Sequence, residues 1–143
     1  MNRFVFIAPT YNAERTARQA ILSLAAQSYE NWKLIVVDDV STDSTFRTVL
    51  QIANSLDFHR CGSDDTNKVQ IIANKEKKWE VANVLEALKH CSSDDIVCRF
   101  DLDDYLIDTQ ALEIINMQYE ADKELEALWT AHRWFDNNGT TRS

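Results

Sequence analysis

Glycine and proline are nearly missing from this chain of 143 residues: two glycines, Gly62 and Gly139, and a single proline, Pro9. Two isolated glycines exclude a glycine-rich phosphate loop, which needs several within a few residues. Cysteine is also scarce. Cys61, Cys91 and Cys98 are odd in number and lack metal-type spacing. That pattern argues against a disulfide framework and a thiolate metal site, and it reads as reduced thiols in an intracellular protein. Long apolar runs are absent. Residues 4–8 form a run of only five before Pro9, which suits a strand and is too short for a signal peptide or a membrane span. No integral membrane segment is expected, so any membrane contact would be peripheral. Positive charge is short as well: 15 Lys and Arg stand against 23 Asp and Glu, a net charge of −8. A nucleic-acid backbone is therefore not an expected partner. His59, His90 and His132 are scattered without ligand spacing, and no Ser-His-Asp arrangement exists.

What remains is a globular composition, 45% hydrophobic and 27% charged, of a length that fits one domain over residues 1–143. Apolar runs at 4–8, 34–37, 69–73 and 96–100 read as strands, the first two buried on both faces. Residues 127–135 read as a fifth strand, followed by the tight-turn signal Asn138, Gly139. Between them lie helical patterns. Asn12 is expected to cap the first helix, which carries Ala17, Ala20, Ile21, Leu24 and Ala25 at i, i+3, i+4, i+7 and i+8. Ser41 or Asp43 is expected to cap the second, with Phe46, Val49, Leu50 and Ala53 inward. Residues 79–90 form a third, with Val81, Leu85 and Leu88 on one face. Asp108 is expected to cap a fourth that carries Leu112, Ile115 and Tyr119. Strands alternating with helices predict an α/β fold around a mostly parallel sheet, in which ligands sit at the carboxyl ends of strands.

The acid is concentrated. From Asp94 to Glu126 there are eleven Asp and Glu against Arg99 and Lys123, so this stretch accounts for the whole net charge. Residues 113–126 fit an ordinary solvated helix face. Asp101, Asp103 and Asp104 do not, because they directly follow an apolar strand. Clustered carboxylates repel one another, and a divalent cation is the usual counter-charge. The spacing is not that of a calcium-binding EF-hand loop, since its sixth and twelfth positions are Leu106 and Leu112. A second acidic strand end, Asp38 and Asp39, follows Val36 and Val37. Together the two ends suggest a site for a metal and a nucleotide.

Four segments in order carry a resemblance: residues 7–14 with Pro9, Thr10, Tyr11, Asn12 and Glu14; residues 23–32; residues 34–45 with Asp38 and Asp39; and Asp101, Leu102, Asp103, Asp104. This conjunction resembles glycosyltransferase family 2, over nearly the whole of residues 4–135. The resemblance implies the GT-A fold, a three-layer α/β sandwich with a mostly parallel central sheet. It also implies a nucleotide-diphosphate-sugar donor, with a UDP-sugar favoured, and transfer to an acceptor hydroxyl with inversion. Under it, the donor is held by Pro9, Thr10, Tyr11, Asn12, Glu14, Asp38, Asp39, Asn83, Asp101 and Leu102. Tyr11 stacks on the base, Asp39 accepts from a base imide N–H, and Asp101 faces the ribose. Asp103 and Asp104 bind Mn²⁺ or Mg²⁺, which stabilises the departing nucleoside diphosphate.

The departures from the family pattern are specific. Ala82 stands where Arg is usual before Asn83, Val40 where Gly or Asn is common, and Leu85 and Ser93 where Gly often occurs. Lys75, Lys77 and Lys78 read as a solvated turn. The general base that an inverting transfer needs is not found in this chain, and Asp136 does not fit the role. The expectation is thus a donor-binding domain without the usual C-terminal acceptor-binding segment, in a cytoplasmic protein. An alternative is a non-catalytic nucleotide-sugar-binding or assembly module. The apolar edge at 127–135, with Trp129, Trp134 and Phe135, suggests pairing with a second copy or a partner chain, or missing residues; the plain alternative is a short hairpin closed by residues 140–143.

Overall fold

The computed structural model describes residues 1–57, 67–131, 133–135 and 141–142. Four strands form one parallel sheet in the order β3-β2-β1-β4: β1 Arg3–Thr10, β2 Trp32–Asp38, β3 Val69–Ala73 and β4 Asp95–Arg99. Four helices connect and follow them: α1 Ala17–Ala25, α2 Thr45–Asp57, α3 Trp79–Leu88 and α4 Ala111–Ala121. The period-2 alternation of β1 and β2 divides the core between the two sheet faces. Phe4, Phe6, Ala8, Leu34 and Val36 pack with Ile21 and Leu24 of α1, Val49 and Ile52 of α2, and Leu112 of α4. Val5, Ile7, Ile35 and Val37 pack with Ala87 of α3. The result is the expected three-layer α/β arrangement. Among the described residues, no helix is long and apolar enough to cross a membrane.

The first three strands are the expected ones: β1 and β2 are fixed by apolar runs that burial on both faces requires, and β3, at the sheet edge, is only partly buried. The fifth is not. Residues 127–131 are not strand, and Trp129 is 92% exposed. Among the described residues of this segment only Trp134–Phe135 (β5) is strand, and it pairs antiparallel with Thr141–Arg142 (β6) in a separate two-stranded sheet. The edge of the main sheet next to β1 is therefore β4, not the 127–135 segment. The expected Asn138, Gly139 turn lies outside the described residues, as do His59, Cys61, His132 and Asp136.

Helix starts also differ from the local reading. Asn12 does not cap α1, which begins five residues later with Thr16 at its N-cap. Asn12 is left-handed, at φ 55°, and bonds residues 41 and 42. Asp43 does serve α2: its Oδ1 accepts from the Thr45 backbone N–H at 2.9 Å and the Thr45 hydroxyl at 2.5 Å. On α2, Val49, Ile52 and Ala53 are buried, whereas Phe46 and Leu50 are exposed. Gln110 stands at the N-cap of α4, while Asp108 accepts from the Gln110 N–H and Gln27 Oε1 receives the Leu112 N–H. On α3 the stripe Val81, Leu85, Leu88 is exposed, and the sheet-facing side is Asn83, Val84 and Ala87.

Val40 has φ 64°. A β-branched side chain in the left-handed region strains the backbone by about 1–3 kcal/mol. The Val40 side chain is more than a third exposed, so its removal loses little burial. Val40→Gly is expected to stabilise the fold by about 1 kcal/mol, seen as a melting temperature roughly 3 °C higher. An unchanged or lower melting temperature would show that the backbone there is unstrained.

Candidate functional site

The carboxyl ends of β1, β2 and β3 are in register, with Thr10 opposite Asp38 and Asp38 opposite Ala73. The segments that follow β1 and β2 are laced together. The Asp39 N–H donates to the Thr10 carbonyl at 2.9 Å, and the Asn12 N–H to Ser41 Oγ at 2.9 Å. Asn12 Oδ1 accepts from the Thr42 N–H at 2.8 Å, and Ala13 N–H donates to Thr45 Oγ1 at 2.7 Å. Glu14 Oε2 accepts from the Ser44 N–H at 2.8 Å. Asn12 and Glu14 are thus engaged in holding the two loops together. They shape the floor that presents Tyr11, which is half exposed.

Asp38 and Asp39 are both buried, at 5% and 4% exposure, and their environments differ. Asp38 Oδ2 accepts a long 3.4 Å bond from the Ser41 N–H, and its Oδ1 has no hydrogen-bond partner. A buried carboxylate oxygen left unpaired costs free energy, so it marks a position where a donor from a ligand would be favourable. Asp39 is well supplied. Its Oδ1 accepts from Asn74 Nδ2 and the Lys78 N–H, both at 2.8 Å, and its Oδ2 from the Trp79 N–H at 2.9 Å. Burial pushes the Asp39 carboxyl up. The N–H groups of Lys78 and Trp79 and the amides of Asn74 and Asn83 outweigh it, so the group lies below the ordinary carboxylate range. Asp39 therefore closes the N-terminus of α3 from another strand. Asn83 is almost fully buried and its Oδ1 accepts from Asn74 Nδ2 at 2.7 Å.

After β4 the chain turns, with the Asp104 N–H donating to the Asp101 carbonyl at 3.0 Å. Leu102 anchors this turn in the core at 2% exposure, so its contribution to the site is positional. The carboxylates of Asp101, Asp103 and Asp104 are exposed, and one oxygen from each lies within 4.8 Å of the others. Arg99 donates to Asp101 Oδ1 at 2.9 Å and to Glu80 Oε1 at 2.7 Å. Desolvation raises the Asp101 carboxyl; Arg99 opposes this, while Asp103, Asp104 and Glu80 add to it. Three carboxylates offering oxygens to one small space, with one guanidinium against them, fit an oxygen-ligated divalent cation. The two acidic strand ends are connected: Asp39 holds Trp79, its neighbour Glu80 pairs with Arg99, and Arg99 pairs with Asp101.

A sequence model described as Glycosyl transferase family 2 matches residues 5–140. This chain belongs to glycosyl transferase family 2. Its relatives are consistent with that. The family 2 chain is 33% identical over 101 residues to the UDP-Glc:alpha-D-GlcNAc-diphosphoundecaprenol beta-1,3-glucosyltransferase WfgD of Escherichia coli, covering 71% of this chain and 35% of that protein. The solved structure of Staphylococcus aureus TarS residues 1–349 in complex with UDP-GlcNAc superposes with a TM-score of 0.66 at 26% identity, over 83% of this chain and 31% of that one. The mannosyltransferase PcManGT of Pyrobaculum calidifontis, solved with GDP-Man and Mn²⁺, gives a TM-score of 0.65 at 24% identity, over 77% of this chain and 30% of that one. These likenesses establish the GT-A fold class. The family 2 chain spans about a third of the lengths of the WfgD, TarS and PcManGT chains just named.

The structure draws three groups into the candidate site that the sequence reading left aside. Asn74 links Asp39 to Asn83. Arg99 and Glu80 join α3 to the Asp101 turn. Lys77 sets its ammonium against the rings of both Tyr11 and Trp79. Position alone hinted at Asn74, the first residue past a parallel strand. The lysine run looked like a solvated turn, and three of its members are indeed exposed.

Proposed function

We propose that this chain binds a nucleotide-diphosphate sugar across the ends of β1 and β2 and the Asp101 turn, as the donor-binding part of a metal-dependent, inverting glycosyltransferase. The observation that carries the reading is the exposed carboxylate triad beside a buried acidic strand end on a parallel sheet. The TarS and WfgD likenesses support a UDP-sugar in particular. Tyr11 offers a half-exposed ring for the base. Asp39 Oδ2 accepts from the Trp79 N–H, and a carboxylate oxygen has a second lone pair for a base imide N–H, while the unpaired Asp38 Oδ1 offers an acceptor for a second ligand donor. Asp101 reaches the ribose, and Pro9 and Thr10 set the height of the floor.

Asp103 and Asp104, with Asp101, would hold Mn²⁺ or Mg²⁺. Bound there, the cation supplies positive charge opposite the diphosphate as negative charge develops on it. The side chains of this chain bind and orient the donor, while the acceptor hydroxyl and its general base are not assigned to it. A cytoplasmic setting agrees with the free thiols Cys91 and Cys98, among the described residues.

Calorimetric titration of UDP with and without Mn²⁺, repeated with GDP, tests the reading. UDP is expected to bind in Mn²⁺ and at least about tenfold more weakly in chelator, a difference of roughly 1.4 kcal/mol. Absence of binding by either nucleotide in the presence of Mn²⁺ would overturn it.

A further inference from the structure

Lys77 places its ammonium nitrogen 3.3 Å from the centre of the Tyr11 ring and 5.0 Å from that of the Trp79 ring. Both rings are solvent-accessible, Tyr11 at 49% and Trp79 at 70%. Two rings that share one ammonium at these distances have centres no more than roughly 8 Å apart, so Tyr11 and Trp79 border the same space. The backbone carrying Trp79 is unusual in two ways. Trp79 has φ 66°, a left-handed conformation that a bulky side chain adopts at a cost. It is held there by a buried group from another strand: Asp39 accepts from the N–H of Lys78 and of Trp79. The strain does not serve to bury the indole. A large apolar ring kept in solvent by a strained, anchored backbone is a candidate for ligand contact.

We propose that Trp79 is the second wall of a nucleobase slot whose first wall is Tyr11, and that Lys77 fills this slot until a nucleotide displaces it. The proposal rests on the donor-site reading above and deepens it. Relative magnitudes decide the order of events. Stacking of a base on an aromatic ring is worth about 5- to 150-fold in affinity, and more than one ring is available here. An exposed cation–π contact is worth only about 2- to 5-fold. The base therefore wins the slot, and Lys77 lowers the apparent affinity by the smaller factor. No bond is broken or formed, and the lysine moves into solvent on its four-carbon stem. The slot reads planarity, so the ligand class is the nucleobase end of a nucleoside diphosphate rather than its sugar or phosphates.

The test is calorimetry in Mn²⁺ with UDP, GDP and inorganic pyrophosphate as probes, on the unaltered chain and on Tyr11→Ala, Trp79→Ala, Trp79→Phe and Lys77→Met. For whichever nucleotide binds, Trp79→Ala is expected to weaken it about tenfold and Trp79→Phe to restore most of that loss. Lys77→Met is expected to tighten it about threefold by removing the competing cation. Pyrophosphate binding should not change in any of these variants, because it has no base. The Trp79 side chain is exposed, so melting temperatures should agree within a few degrees. If the unaltered chain binds neither nucleotide, or Tyr11→Ala has no effect, the donor-site reading and this proposal both fall. If Tyr11→Ala weakens binding but Trp79→Ala does not, the second wall alone is wrong. Weaker nucleotide binding by Lys77→Met would mean that the lysine holds the ligand, and the displacement is then refuted.

Discussion

Replacement of Asp103 by Asn is expected to abolish Mn²⁺-dependent nucleotide binding while leaving the fold intact. Asp103 is exposed, and Leu102 rather than Asp103 ties the turn to the core. The turn itself is closed by a backbone bond from Asp104 to Asp101, which the substitution does not touch. The stability change should therefore be small. It should even favour the variant, because one of three mutually repelling carboxylates loses its charge. The ligand effect should be large. Even groups that only support a metal ligand are worth about 10- to 100-fold in metal affinity, so a direct oxygen ligand should be worth about 100-fold or more. Calorimetry with Mn²⁺ alone, then with UDP in Mn²⁺, measures both steps. Melting temperature and circular dichroism provide the control. Asp104→Asn run alongside tells the two carboxylates apart. Nucleotide binding that keeps its Mn²⁺ dependence in both variants would remove the triad from the site and leave these residues as turn formers.

The sequence was most legible where one force dominates. β1 and β2 are central parallel strands buried on both faces, and continuous apolar runs at 4–8 and 34–37 leave few other readings; the edge strand β3 is partly buried, and its run at 69–73 is broken only by Gln70. The acidic strand ends were equally visible, because paired charges directly after an apolar strand stand out, although Asp39 also serves to hold the start of α3. Local patterns failed wherever a distant partner decides the outcome. Asn12 has the chemistry of a helix cap, yet it bonds Ser41 and Thr42, 29 and 30 positions away. The buried side of α3 centres on Asn83, because Asn74 and Asp39 satisfy its amide. No hydrophobic count places a polar residue inward and Val81, Leu85 and Leu88 outward. The segment 127–131 is apolar enough for a strand, but strands form by pairing, and the described strands there pair only over two residues each. Trp79 and Lys77 were illegible for the same reason. What brings them together with the candidate site is Tyr11, which follows the first strand and meets the Lys77 ammonium that also faces Trp79.

The same long-range dependence makes Asp39 the position with the largest expected effect on both stability and binding. Asp39→Ala removes the acceptor for Asn74 Nδ2 and for the N–H groups of Lys78 and Trp79, at a site only 4% exposed. Bonds to a charged acceptor contribute about 1.5–3 kcal/mol each, although water entering the space left by the carboxylate would satisfy part of the deficit. A loss of about 3 kcal/mol is expected, or a melting temperature lower by roughly 10 °C. Asp39→Asn should be intermediate, because its amide oxygen can still accept but its NH₂ group opposes one of the donors. The pH dependence has a definite sign. The folded-state carboxyl is held below its ordinary value, so its stabilisation is complete above the unfolded pKa of about 3.9 and is lost as pH falls through the lower folded value. The stability gap between the native chain and Asp39→Ala should thus be constant from neutral pH down to about 5 and shrink in stronger acid. Nucleotide affinity should fall together with stability in Asp39→Ala, because the N-terminus of α3 loses its anchor along with the proposed acceptor for the base. If stability is unchanged and only binding is lost, Asp39 is a ligand contact and not the clamp of α3. If stability falls and binding persists, the base is held elsewhere, and Asp38, with its unpaired Oδ1, becomes the acceptor to test next.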